Sequence, residues 1–116
     1  MKIKFSKKEI LESNKEYRIN LINSITGIKS ANLISTISKS GIPNVAIFSS
    51  VIHLGSNPPL IGFILRPETK RLSDTMENIR EMQYYTINHI NPVQIRKAHQ
   101  TSKKLDKDIS EFDLFK

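Results

Sequence analysis

Apolar and polar positions alternate most cleanly between Asn44 and Leu54. Val45, Ile47, Ser49, Val51 and His53 fall on one side, and Ala46, Phe48, Ser50, Ile52 and Leu54 on the other. A period of two over that length is strand behaviour. After a polar turn with two prolines, Leu60 to Leu65 is nearly all apolar, which predicts a second strand buried on both faces. Ser49 and Ser50 stand together in the middle of the first strand. Packing alone seldom calls for adjacent serines there, so the pair is a first pointer to a bound polar ligand.

The rest of the chain is organised around this stretch. Ser6 and Glu9 have capping-box spacing, predicting a short helix over residues 6–13 that Asn14-Lys15-Glu16 ends. Leu21, Ile22 and Ile25 suit a helical turn that stops at Gly27. Lys29 to Ser38 alternates as a strand, and the turn around Gly41 joins it to the next in a hairpin, hence an antiparallel pair. Arg66 to Arg71 reads as a loop. A helix follows, N-capped by Ser73 or Asp74, with Leu72, Met76 and Ile79 as its apolar side. Tyr84 to Ile90 is a further strand. Asn91-Pro92 opens a helix running to about Ser102, and Asp108 to Phe115 suits one more helical turn. The pattern thus predicts a mainly β chain with short helices, whose four strands are too few to close a barrel.

Composition narrows the function. A chain of 116 residues, 38% of them hydrophobic, supports one small domain. It has no cysteine, which removes disulfides, thiolate metal sites and cysteine nucleophiles. Apolar runs fall short of a membrane span, and the basic start, MKIKFSKKEI, lacks the apolar region of a secretory signal. The expected setting is the cytoplasm, with no membrane partner. The net charge is +7, but the lysines and arginines are scattered and no aromatic stacking row accompanies them. That distribution fits a solvated surface better than a nucleic-acid-binding module.

Motifs for hydrolysis are missing: there is no GxSxG elbow, no HExxH pair and no metal-ligand spacing among His53, His89 and His99. No catalytic side chain and no metal ligand is assigned. Walker and GxGxxG loops are missing too. What remains is a distributed polar set: Lys29 and Ser30 at one strand's start, Asn44, Ser49 and Ser50 on the next, Arg66 after the third, and Thr75 and Asn78 in the following helix. Arg66 suits bidentate contact with a phosphate, and Thr75 lies where free backbone N–H groups favour an anion. The plainer alternative pairs Arg66 with Glu68 or Glu77 and leaves Thr75 to assist capping.

Taken together, the motifs resemble the flavin reductase-like proteins of the FMN-binding split-barrel class. The likeness starts at NLINSITGIKSANLIST and continues through Asn44-x-Ala46-x-x-Ser49-Ser50-Val51-x-His53-x-Gly55-Ser56-x-Pro58-Pro59-Leu60 and Phe63-Ile64-Leu65-Arg66-Pro67. It then takes in Asp74-Thr75-x-x-Asn78-Ile79, YYTINHI and AHQTS, and covers about residues 18–113. Residues 1–17 then form an N-terminal extension with a short helix, and residues 18–116 the N-terminal portion of the flavin reductase-like domain. The resemblance implies an antiparallel, Greek-key-like FMN-binding split barrel, usually a homodimer, with hydride transfer from NADH or NADPH to the flavin. In that case Lys29, Ser30, Asn44, Ala46, Ile47, Phe48, Ser49 and Ser50 lie along the cofactor, His53 and Asn78 line the site, and Arg66 and Thr75 stand near the phosphate or ribityl end. A monooxygenase is a possible acceptor of reduced flavin. Relatives of this kind continue with further strands where this sequence ends in EFDLFK. The expectation is therefore an incomplete barrel, with a non-catalytic remnant of such a protein as the alternative function.

Overall fold

The computed structural model describes residues 3–66, 73–103, 105–106 and 109–114. The chain opens with two helices. In α1 (Lys7–Glu12) the expected capping box forms: the Glu9 N–H donates to Ser6 Oγ at 3.2 Å, and the Ser6 N–H donates to the Glu9 carboxylate at 2.6 Å. The donors of Ser6, its side chain foremost and then its backbone, hold the Glu9 carboxyl below the usual range. Asn14 does not simply end this helix. Its Oδ1 accepts from the Glu16 N–H at 2.8 Å and starts α2 (Lys15–Ile25), a full 11-residue helix where only a turn was expected. Arg18 clamps the two, donating to the carbonyls of Leu11 and Ser13. Beyond α2 the chain turns at Gly27, whose φ of 80° suits a residue without Cβ.

The main sheet is antiparallel with strand order β2–β1–β5, built from β1 (Asn32–Ile37), β2 (Pro43–Phe48) and β5 (Thr86–His89). The predicted hairpin is present: Ile37 pairs with Pro43 across a turn in which Gly41 has φ 83°. In β1 burial alternates, so Asn32, Ile34 and Thr36 share the covered face. The register sets Thr36 opposite Asn44, Ile34 opposite Ala46 and Asn32 opposite Phe48, while Ile87 faces Ile34 from the other side. Ile34, at 0% exposure, is the most buried apolar residue among those described, and Val45 and Ala98 are the others that are buried.

Two strand expectations are corrected. The single strand 44–54 breaks at Ser49–Val51 into β2 and β3 (Ile52–Ser56). Ser50 explains the break: its hydroxyl donates to the Ile64 carbonyl at 3.1 Å and accepts from the Ile64 N–H at 3.2 Å. This anchors the chain to a segment 14 residues on rather than to a neighbouring ladder. The second strand, expected to be buried on both faces, is the short β4 (Pro59–Gly62), and it is exposed. It forms a two-stranded antiparallel sheet with β3 alone. Leu54, Leu60 and Ile61 remain at least half exposed there, because β3 and β4 pack chiefly against each other. The hairpin is tied to the main sheet through Phe63, whose ring meets Phe48 and Tyr85 edge-on, each at 5.1 Å. The radius of gyration is 16.8 Å, against roughly 13 Å for a compact domain of 100 residues.

Helix α3 (Asp74–Met82) is N-capped by Ser73, whose Oγ accepts from the Met76 N–H. Leu72 lies outside the described residues. The expected apolar side, Met76 and Ile79, is only half-buried. The fully buried residues of α3 are polar, Thr75 and Asn78. They are buried at low cost because each meets a hydrogen-bond partner on the sheet. At the helix's C-terminus Gln83 adopts the left-handed conformation with φ 60°. Gln83→Gly is therefore expected to raise stability by about 0.5–1 kcal/mol, read as a higher urea midpoint at unchanged slope. The expected helix after Asn91 starts as a 3-10 turn (Pro92–Gln94) and continues as α4 (Ile95–Gln100). A last turn, α5 (Glu111–Leu114), returns to the sheet. No described helix is long and apolar enough to cross a membrane.

Candidate functional site

Strand β2 is an edge strand, and the edge is used in two ways. Along its first half, α5 covers it. Ser110 Oγ donates to the Pro43 carbonyl at 2.6 Å, and the Val45 N–H donates to the Glu111 carboxylate at 3.2 Å. Pro43 and Val45 thus turn their backbone groups away from β1. With the two-residue period of an antiparallel ladder, Ile47 does the same. Beyond the reach of α5, the open edge around Ile47 borders a cleft of about 1090 Å³.

Apolar and polar side chains share the lining of the cleft. Ala46, Ile47, Phe48, Ile28, Ile52 and Ile64 supply apolar surface. Lys29, Arg66 and Lys103 bring positive charge; Asp74 and Glu111 bring negative. Hydroxyls come from Ser30, Ser49, Thr75, Thr101 and Ser102. Among the described residues no ion pair occupies Arg66; Glu68, one of its expected partners, lies outside them. Thr75 sits in the first turn of α3, whose N-cap Ser73 lines the cleft together with Asp74 and Thr75.

All of the predicted site residues except His53 and Asn78 line this cleft. His53 lies on the exposed hairpin, with its Nε2 3.0 Å from Ser56 Oγ. Asn78 is buried behind the cleft wall, where its Nδ2 donates to Thr36 Oγ1 at 3.1 Å. It lines a smaller cavity of about 310 Å³ on the other side of Asn44. The two serines separate: Ser49 is exposed at the cleft, whereas the Ser50 hydroxyl is taken up by Ile64.

Sequence reasoning missed Lys103 and Glu111, both on the cleft wall, whereas Thr26 falls within the NLINSITG motif. Thr101 and Ser102 were within the AHQTS motif, so a signal existed for them. For Glu111 there was none, since its role depends on a bond to a strand 66 residues away. No group of three or more His, Asp or Glu side chains among the described residues is placed to hold a metal.

The cleft thus lies beside an open strand edge and combines apolar surface with charged groups of both signs. Residues 28–116 match the model of the flavin reductase like domain. The chain belongs to the flavin reductase-like family. A protein of flavin reductase type with a split barrel domain, from Shewanella frigidimarina NCIMB 400, is 48% identical, with a TM-score of 0.89 over 98% of this chain and 56% of its own. Two more distant structures share the fold. Nitrilotriacetate monooxygenase component B from Bacillus cereus is 18% identical, with a TM-score of 0.81 over 98% of this chain and 55% of its own. A 2-nitrobenzoate 2-nitroreductase from Pseudomonas fluorescens is 19% identical, with a TM-score of 0.77 over 97% and 52%. No curated protein matches. The fold of this flavin reductase-like chain is thus of the split-barrel type, mainly antiparallel sheet with short helices, and it spans little more than half the length of these structures.

Proposed function

We propose that this flavin reductase-like chain binds FMN in the cleft beside β2 and serves hydride transfer from NADH or NADPH. The observation that carries the reading is the composition of that cleft. The outward backbone of Ile47 offers a donor and an acceptor to the edge of a heteroaromatic ring. Ala46, Phe48 and Ile28 offer apolar surface to its faces, and Arg66, Lys29 and Thr75 suit a phosphate. That donor set fits FMN, with Lys29, Ser30, Asn44, Ala46, Ile47, Phe48, Ser49, Arg66 and Thr75 as the residues that would hold it. The flavin supplies the redox chemistry when bound. The protein's part is to orient the ring along the strand edge, to neutralise the phosphate and to exclude water with the apolar side chains. No acid or base side chain is required, in keeping with the lack of any catalytic constellation in the sequence.

We extend the reading to a homodimer that hands reduced flavin to a monooxygenase. The exposed apolar residues of β3 and β4 support an association surface. The likeness in fold to a protein called monooxygenase component B supports the hand-over.

The test is an absorption and fluorescence titration of the purified chain with FMN. Binding near 1 μM, about 8 kcal/mol, is expected, with flavin fluorescence quenched. No binding at tens of micromolar, about 6–7 kcal/mol, overturns the reading. If FMN binds but neither NADH nor NADPH is oxidised, the non-catalytic alternative takes its place.

A further inference from the structure

We propose that Thr36 and Asn78, neither of which reaches the main cleft, are positioning residues that fix Asn44 and Thr75 in it. Their effect on ligand affinity rests on the FMN reading above; their effect on the cleft wall does not.

The argument is one of hydrogen-bond valence. Asn44 has two side-chain N–H groups, and both are engaged: one donates to Thr36 Oγ1 at 3.2 Å, the other to Thr75 Oγ1 at 3.1 Å. Thr36 Oγ1 also accepts from Asn78 Nδ2 at 3.1 Å, so both its lone pairs are used. The four side chains are buried, between 3% and 9% exposed. Water therefore cannot readily replace a lost partner. With Asn44 supplying its proton, the Thr75 oxygen acts as acceptor toward the sheet. Among the described residues no acceptor is recorded for the Thr75 O–H, and Thr75 lines the cleft, so this hydroxyl is the donor the network offers to an anionic or carbonyl acceptor there. Thr36 lies on β1, opposite Asn44 in register, and Asn78 lies one turn along α3 from Thr75. The network thus joins two strands and a helix beside the cleft. It selects the rotamers of two lining residues from behind.

The experiment compares Thr36→Val, Thr36→Ser, Thr75→Val and the Thr36→Val/Thr75→Val pair in FMN titrations, with nitrogen-labelled NMR spectra of each chain. Thr36→Val is expected to weaken FMN about tenfold, and Thr36→Ser, which keeps the hydroxyl, by no more than about twofold. The double variant is expected to bind within about twofold of Thr75→Val alone, because Thr36 reaches the Thr75 hydroxyl through the Asn44 amide that both share. Additive losses overturn the proposal, and so does a folded Thr36→Val chain that binds FMN as the wild type does. If Thr36→Val does not fold, Asn78→Ala probes the same oxygen, with a smaller loss expected that again vanishes in the Thr75→Val background; a loss that persists there overturns the proposal. If the wild type binds no flavin, the FMN reading fails, and the spectra decide this one separately. Displaced Asn44 side-chain amide and Thr75 backbone signals in Thr36→Val support positioning; unmoved signals overturn it.

Discussion

Ile34→Ala is expected to destabilise the chain by about 2–5 kcal/mol, enough to unfold much of a marginal domain. Ile34 is fully buried, and only Val45 and Ala98 join it as buried apolar residues among those described. It touches both neighbouring strands, facing Ala46 on β2 and Ile87 on β5. Truncation removes side-chain methyl groups and leaves a cavity that a register held on both sides cannot easily close. Urea unfolding followed by circular dichroism measures the loss. Ile28→Ala is the control: Ile28 is wholly exposed, and its removal is expected to change stability by less than about 0.5 kcal/mol. Similar midpoints for the two variants would show that the core does not lie at β1.

Arg66→Ala is expected to weaken FMN about tenfold, or roughly 1.5 kcal/mol. Arg66 lines the cleft and has no ion pair among the described residues. A phosphate would therefore meet a guanidinium that no described carboxylate pairs with. The side chain is exposed, so solvent screening keeps the effect at the low end of charge-assisted hydrogen bonds. Riboflavin, which lacks the phosphate, is expected to lose less than about twofold in affinity. Arg66→Lys should fall between, since an ammonium replaces the bidentate fork by a point charge. Parallel titrations of FMN and riboflavin check this, and equal losses for both remove Arg66 from the phosphate site.

Much of the local structure was legible. The capping box at Ser6 and Glu9, the Gly41 hairpin and a cap at Ser73 or Asp74 were recognisable because each depends on residues within three or four positions. The errors arose where partners are remote. Strand 44–54 looked continuous because alternation persists through Ser49 and Ser50, yet Ser50 bonds Ile64 and the chain changes sheet. Leu60 to Leu65 looked buried because apolar content predicts a buried face only when another element covers it. Most of the candidate residues could be named from the polar set and the family pattern and lie on the cleft, whereas His53 and Asn78 lie away from it. Asn78 shares a helix with Thr75, but its amide points to Thr36, 42 residues away.

By itself, the order of residues determined the mainly β class, the hairpin of β1 and β2, the lack of thiol chemistry and the membership of a flavin reductase-like family. Periodicity, turn chemistry and motif order are local properties that a single chain displays in full. Only the tertiary structure decided that α5 closes half of the β2 edge and leaves the rest open. Only it decided, too, that Asn44 and Thr75 are held from behind by Thr36 and Asn78. Those contacts join residues 8, 31, 42 and 66 positions apart. Hydrogen bonds at such separations depend on how sheet and helix meet in space, and no local pattern encodes that meeting.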